Sequence, residues 1–197
     1  MQTLQQQIDF ILELDRLKGV CRQALIKSDE NRQENSAEHS WHVAMTAHVL
    51  HRYAEEPVDV SRVVMMLLIH DVVEIDAGDT FAFAATHELD AQQGIEIEAA
   101  KRIFGLLPES QSRELEALWH EFEHAETADA RFAKAIDRVL PLLQNMQNEG
   151  GSWARHSVSK SQVVVRNQYL EGLAPTLWAY VLEQLDIAVE NKWLKPD

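Results

Sequence analysis

Apolar positions recur along this chain at helical spacing and divide it into a series of amphipathic segments. Leu4, Ile8, Ile11, Leu12 and Leu14 mark a first helix. Residues 35–54 read as a second, with Asn35 as its cap and Glu38 three residues on, the pairing of a capping box. Residues 59–70, DVSRVVMMLLIH, carry an unbroken apolar stretch from Val63 to Ile69, which predicts a buried helix. Its β-branched residues leave a strand as the lesser alternative. VVEIDAGDTFAFAATH then reads as a turn-rich connection around Gly78. Helices follow at 88–106 through Ile95, Ile97, Ala99, Ile103 and Phe104, at 109–126 after Pro108, and at 129–147 through Ile136, Val139 and Leu142. Pro141 falls inside the last of these and should kink it or begin a new turn. A loop at Glu149–Gly150–Gly151–Ser152 precedes helices near 159–171 and 176–194. No run alternates for the length of a strand. The pattern predicts an all-α protein, one domain over residues 1–197, with about seven or eight helices.

Composition agrees with that reading and narrows the partners. Hydrophobic residues make up 46% of the chain, with seven Gly and five Pro, as expected of a helical globular domain. The net charge of −14 speaks against a grip on duplex DNA or RNA, because phosphate contacts need a basic face. A small anionic substrate would need a local metal ion or arginine. Cys21 is the one cysteine, so no intrachain disulfide is available. The start, MQTLQQQIDF, is too polar for a signal peptide, and the longest apolar run is far short of a membrane span. A reducing cytosol is the simplest expected compartment.

Candidate chemistry concentrates in the middle of the chain. His70–Asp71 ends the most apolar helix, where a polar pair is either exposed at a helix terminus or bound to something. Adjacent imidazole and carboxylate ligands suit Zn, Mn, Fe or Co better than Ca. Upstream, ENSAEHSWHVAMTAH places His39 in the first turn of a capped helix. Downstream, Asp137 stands between Ile136 and Val139, where it needs a cation or hydrogen-bond donors; Arg138 or Lys134 is the ordinary alternative. A rival motif is His120–Glu121–Phe122–Glu123–His124, which satisfies H-E-x-x-H, the zinc-protease signature. Its continuation, AETADARF, lacks the Gly and third His of the longer pattern, and a solvated helix face is the favoured reading. His42, one turn from His39, could reach the site or simply pack; His48 and His51 read as surface or interface residues, and Trp41, Trp119, Trp153 and Trp178 as core or dimer contacts.

Taken together, Glu38–His39, then His70–Asp71 with Glu74 and Gly78–Asp79, then a distant helical Asp137, resemble the HD-domain metal-dependent phosphohydrolases, and among them the bacterial and eukaryotic 5′-deoxynucleotidases. The resemblance runs from about Leu17 to about Arg166 and includes LWHEFEHAETADARFAKAIDR and GGSWARHSVS. It implies an all-α fold with a metal core at about residues 35–140, one divalent ion (Mn, Co, Zn, Fe or Mg), and removal of phosphate from deoxynucleoside 5′-monophosphates by a metal-activated water. It further implies His39, His70, Asp71 and Asp137 as metal ligands, Glu74 beside the water, Asp79 near the sugar and nucleophile, and Arg22, with help from Arg32, on the phosphate. A homodimer is the family expectation. Where some members follow that arginine with Trp, this chain has Gln23. Two alternatives stay open: another phosphate ester, such as a cyclic or pyrophosphorylated nucleotide, or a structural metal site in a binding protein.

Overall fold

The computed structural model describes residues 2–83 and 86–197. Eleven α-helical segments account for most of it: α1 (Gln2–Glu13), α2 (Ser36–Leu50), α3 (Val60–Ile69), α4 (Glu74–Ala77), α5 (Thr86–Phe104), α6 (Glu109–His124), α7 (Ala128–Gln147), α8 (Gly151–His156), α9 (Lys160–Asn167), α10 (Leu170–Leu173) and α11 (Pro175–Glu190). Eight of them (α1, α2, α3, α5, α6, α7, α9 and α11) run for eight residues or more, in keeping with the helical pattern of the sequence. The short segments α4, α8 and α10 lie in stretches where single turns leave little periodic signal. The connection read at 72–87 lies partly outside the described residues. Its visible part is helical at α4 and extended or turn-like from Gly78 to Phe83.

The sequence pattern missed a hairpin. Strands β1 (Cys21–Ile26) and β2 (Arg32–Asn35) pair antiparallel, Leu25 opposite Gln33 and Ile26 opposite Arg32. Glu30 and Asn31 turn the chain in the left-handed region, at φ 52° and 60°. Burial does not alternate cleanly along either strand, and the register shifts between Cys21 and Leu25, so no period of two is present to be read.

The central element is α7, which packs against α3, α2 and α6. Ala133, Ala135, Ile136 and Val139 are fully buried along it, against Met66 and Leu67 of α3 in the same core. Each large apolar side chain buried there contributes roughly 1.5–3 kcal/mol. Pro141 lies inside α7, which continues past it to Gln147. Proline has no N–H, so it leaves the carbonyl four residues back, that of Asp137, without its intrahelical donor. Among the described residues, no helix is long and apolar enough to cross a membrane.

Candidate metal centre

The first turn of α2 carries His39. The Asn35 side chain accepts from Glu38 N at 3.0 Å, and the Glu38 carboxylate accepts from Asn35 N at 3.1 Å, completing the capping box read from the sequence. Arg32 grips Glu38 at 2.9 Å and Asp29 at 2.6 Å. This cap sets the helix phase so that Ser36, His39, Ser40 and Val43 all face inward. His39 is fully buried.

His70 and Asp71 owe their burial to a change of helix type. The α3 helix ends at Ile69, and His70–Val73 tightens into a 3₁₀ turn whose four residues are all buried. Trp119 Nε1 donates to the His70 carbonyl at 3.1 Å, and the Phe122 ring lies 5.0 Å from the His70 ring. Asp137 enters from α7. Its alternative partners are taken elsewhere: Lys134 pairs with Glu123 at 2.8 Å, and Arg138 donates to the Arg166 carbonyl.

His39, His70 and Asp137 each present a ligand atom within 4.8 Å of the others. His70 Nδ1 donates to the Leu67 carbonyl at 2.8 Å, which leaves Nε2 as the free face of the ring. That buried Nε2 has no hydrogen-bond partner, although Asp71 Oδ1 lies 3.0 Å away and Asp137 Oδ1 3.5 Å away. His39 Nε2 lies 2.9 Å from Asp137 Oδ1, and its Nδ1 lies 3.3 Å from Glu34 Oε2. Two imidazole nitrogens thus face carboxylate oxygens in a largely buried site, an arrangement that a cation would satisfy. Imidazole and carboxylate together are a fitting donor set for a divalent transition metal. Electrostatics point the same way. Burial works against charge on His70, but Asp71 and then Asp137 outweigh it and hold its pKa well above the ordinary histidine value. Burial also opposes charge on Asp137, yet contacts from His39 and His70 hold it well below the ordinary aspartate value.

Around this triad lies a second group. Arg22, from β1, reaches Asp71 Oδ2 at 2.5 Å, Glu74 Oε1 at 3.6 Å and Asp79 Oδ1 at 3.7 Å. Asp71 is thus adjacent to the triad, one oxygen toward His70 and the other held by Arg22. Burial resists its ionisation, but His70 and Arg22 bring its pKa down to about 2. Glu74 accepts from Ser36 Oγ at 2.5 Å. Burial, then the Asp71 charge, pushes it well above the usual glutamate value, and burial likewise raises Asp79. Gly78, at φ 73° and ψ 162°, makes the reversal after α4 that brings Asp79 back to Arg22. Arg32 is not brought to this group; it remains at the surface with Asp29 and Glu38.

Asp137 and Asp79 open onto a cleft whose walls include Arg22, Arg138, Arg166 and Trp153. Gln23 is also in that wall, and its carbonyl accepts from Arg155. The rival H-E-x-x-H segment is elsewhere on α6. Glu121 is committed to Arg62 and Thr127, the rings of His120 and His124 stack at 6.0 Å, and neither histidine joins the metal-type grouping found among the described residues. Glu34 and Ser36 were not singled out in the sequence. Their one signal was position, flanking the cap residue Asn35.

Comparison with known proteins agrees with this geometry. A family model described as HD domain matches residues 14–178. The human 5′-deoxynucleotidase HDDC2 is 31% identical over 142 residues, 72% of this chain and 68% of the relative. The 5′-deoxynucleotidase yfbR of Photorhabdus temperata is 24% identical over 161 residues, 78% of this chain and 80% of the relative. A solved "Predicted metal-dependent phosphohydrolase" from Magnetospirillum magnetotacticum MS-1 superposes with a TM-score of 0.93 at 47% identity, covering 99% of this chain and 97% of that one. An HD-domain phosphohydrolase from Listeria innocua shares the fold, with a TM-score of 0.66 at 18% identity, covering 95% and 91%. With the His, His-Asp and Asp positions gathered at one buried centre, the chain belongs to the HD-domain family of phosphohydrolases.

Proposed function

We propose that this chain hydrolyses the phosphomonoester of deoxynucleoside 5′-monophosphates, as a single HD domain holding one divalent ion through His39, His70, Asp71 and Asp137. The observation that carries this reading is the buried His39–His70–Asp137 triad, closed on its histidine side and open at Asp137 onto an arginine-lined cleft. A purely structural metal site would be closed on every side. Asp71 belongs with the ligands because one of its oxygens already lies at His70 Nε2.

When bound, the ion supplies Lewis acidity toward water and toward a phosphoryl oxygen. The remaining chemistry lies in the chain. Glu74 takes the proton of the attacking water and is held for this by Ser36 Oγ and by the Arg22 charge. Arg22 holds Asp71, Glu74 and Asp79 in one group and presents its outer edge to the phosphate. Asp79 and Phe81 line the cleft where the sugar and base enter. Arg32 acts one step removed, by fixing the Glu38 cap beneath His39.

The test is phosphate release from deoxynucleoside and ribonucleoside 5′-monophosphates, cyclic nucleotides and nucleoside triphosphates, each with Mn, Co, Zn and Mg. Deoxynucleoside monophosphates should be turned over at least tenfold faster than the other classes. Turnover confined to cyclic or pyrophosphorylated nucleotides would overturn the reading. In the same assay, Glu74→Gln should lose roughly 10²-fold in turnover, the range usual for a general acid–base group, while keeping its metal.

A further inference from the structure

Arg138 and Arg166 flank the metal centre without an acidic partner. Arg138, on α7 next to Asp137, donates to the Arg166 carbonyl at 3.0 Å and lies over the Tyr169 ring, 4.9 Å from its centroid. Arg166, on α9, donates to the Ala82 carbonyl at 3.1 Å and lies over the Phe83 ring at 5.7 Å. Among the described residues neither guanidinium forms an ion pair. Each is fixed instead by a carbonyl and a ring face, which orients the fork and leaves further N–H groups for a ligand. Both line the same cleft as Asp137 and Arg22.

Two neighbouring cations, partly removed from water and without a carboxylate paired directly to either, repel one another. Burial and then the Arg138 charge draw the Arg166 guanidinium below the ordinary arginine value. An anion in the cleft would relieve that repulsion. Arg22 offers less positive potential of its own, being shared among Asp71, Glu74 and Asp79. A phosphomonoester brings close to two negative charges to a site already crowded with carboxylates. A planar guanidinium pair is well suited to take them through several charge-assisted hydrogen bonds.

We propose that Arg138 and Arg166 form a phosphate subsite on the wall of the cleft, binding the phosphate group of the substrate beside the metal centre together with Arg22. The proposal rests on the phosphomonoesterase reading and adds the pair that supplies most of the anion affinity. The competing role is bracing, with Arg166 merely tying down the chain at Ala82.

Inorganic phosphate is the probe, titrated calorimetrically into the metal-loaded protein. Arg138→Gln and Arg166→Gln should each weaken phosphate binding about tenfold or more, the worth of one or two charged hydrogen bonds. Arg113→Gln, an exposed residue paired with Glu109 on α6, should leave it unchanged. Wild-type phosphate affinity in both folded cleft variants would overturn the subsite. A second measurement needs no variant: inorganic phosphate should protect Arg138 and Arg166, but not Arg113, from phenylglyoxal, as mapped by mass spectrometry of the wild-type holoprotein. Absence of protection would overturn the proposal equally. Both readouts are independent of turnover, so loss of the subsite and failure of the nucleotidase reading are separately visible.

Discussion

Glu34 faces His39 with both atoms of the contact, Oε2 and Nδ1, buried and otherwise unpartnered. Its other oxygen accepts from Gln144 at 2.7 Å, which fixes the carboxylate in place. A carboxylate behind a ligating histidine sets the tautomer and raises the basicity of the nitrogen that faces the metal. Glu34→Gln should therefore weaken metal binding by about 10- to 100-fold in a chelator competition. The metal-free variant should melt no lower than wild type, because a buried charge has been removed. Unchanged metal affinity with a lowered melting temperature would make Glu34 a structural residue only. Its role was invisible in the sequence because it depends on β2 approaching His39 in space. His39, His70 and Asp137, by contrast, were legible as polar residues at a capped first turn, at the end of an apolar helix and within an apolar face.

At the scale of elements, the long helices were legible because each carries several turns of apolar repeat. The hairpin β1–β2 was not, since its short strands are buried irregularly and its turn relies on Glu30 and Asn31 in left-handed conformations. That omission mattered, because β1 delivers Arg22 and β2 delivers Glu34. Another contact between elements carries a pH signature. Glu96 on α5 faces Glu123 on α6, and burial first, then the Glu123 charge, raises its pKa from 4.5 to about 7. The folded protein thus keeps this proton over a range where the unfolded chain has lost it. The associated stability is fully present below pH about 4.5 and is lost as pH rises through about 7. Glu96→Gln should flatten that decline, so that melting temperature falls less between pH 5 and pH 8 than in wild type. Parallel profiles for the two proteins in a thermal scan would contradict this.

For the whole molecule, the helical repeat conveyed the all-α class, while the surfaces needed the structure. Trp41, Met45 and Val49 form an exposed apolar stripe along α2, with exposed Met65 and Leu68 on the adjoining α3. Such a stripe would suit the homodimer that we infer from the family expectation. Light scattering at micromolar concentration should give twice the 22.5 kDa chain mass, and a strict monomer would refute the dimer. The overall negative charge makes the local arginines and the metal centre the places where an anionic substrate is met.

Metal content measured beside deoxynucleoside monophosphatase activity in the wild type, Asp137→Ala and Glu121→Gln tests the metal-dependent mechanism most directly. The wild type should hold one divalent ion per chain and lose its activity on chelation. Asp137→Ala should lose both metal and turnover, whereas Glu121→Gln, altered in the rival H-E-x-x-H segment, should keep both. An Asp137→Ala protein with full metal and full turnover, or a metal-stripped wild type that still releases phosphate at full rate, would contradict it.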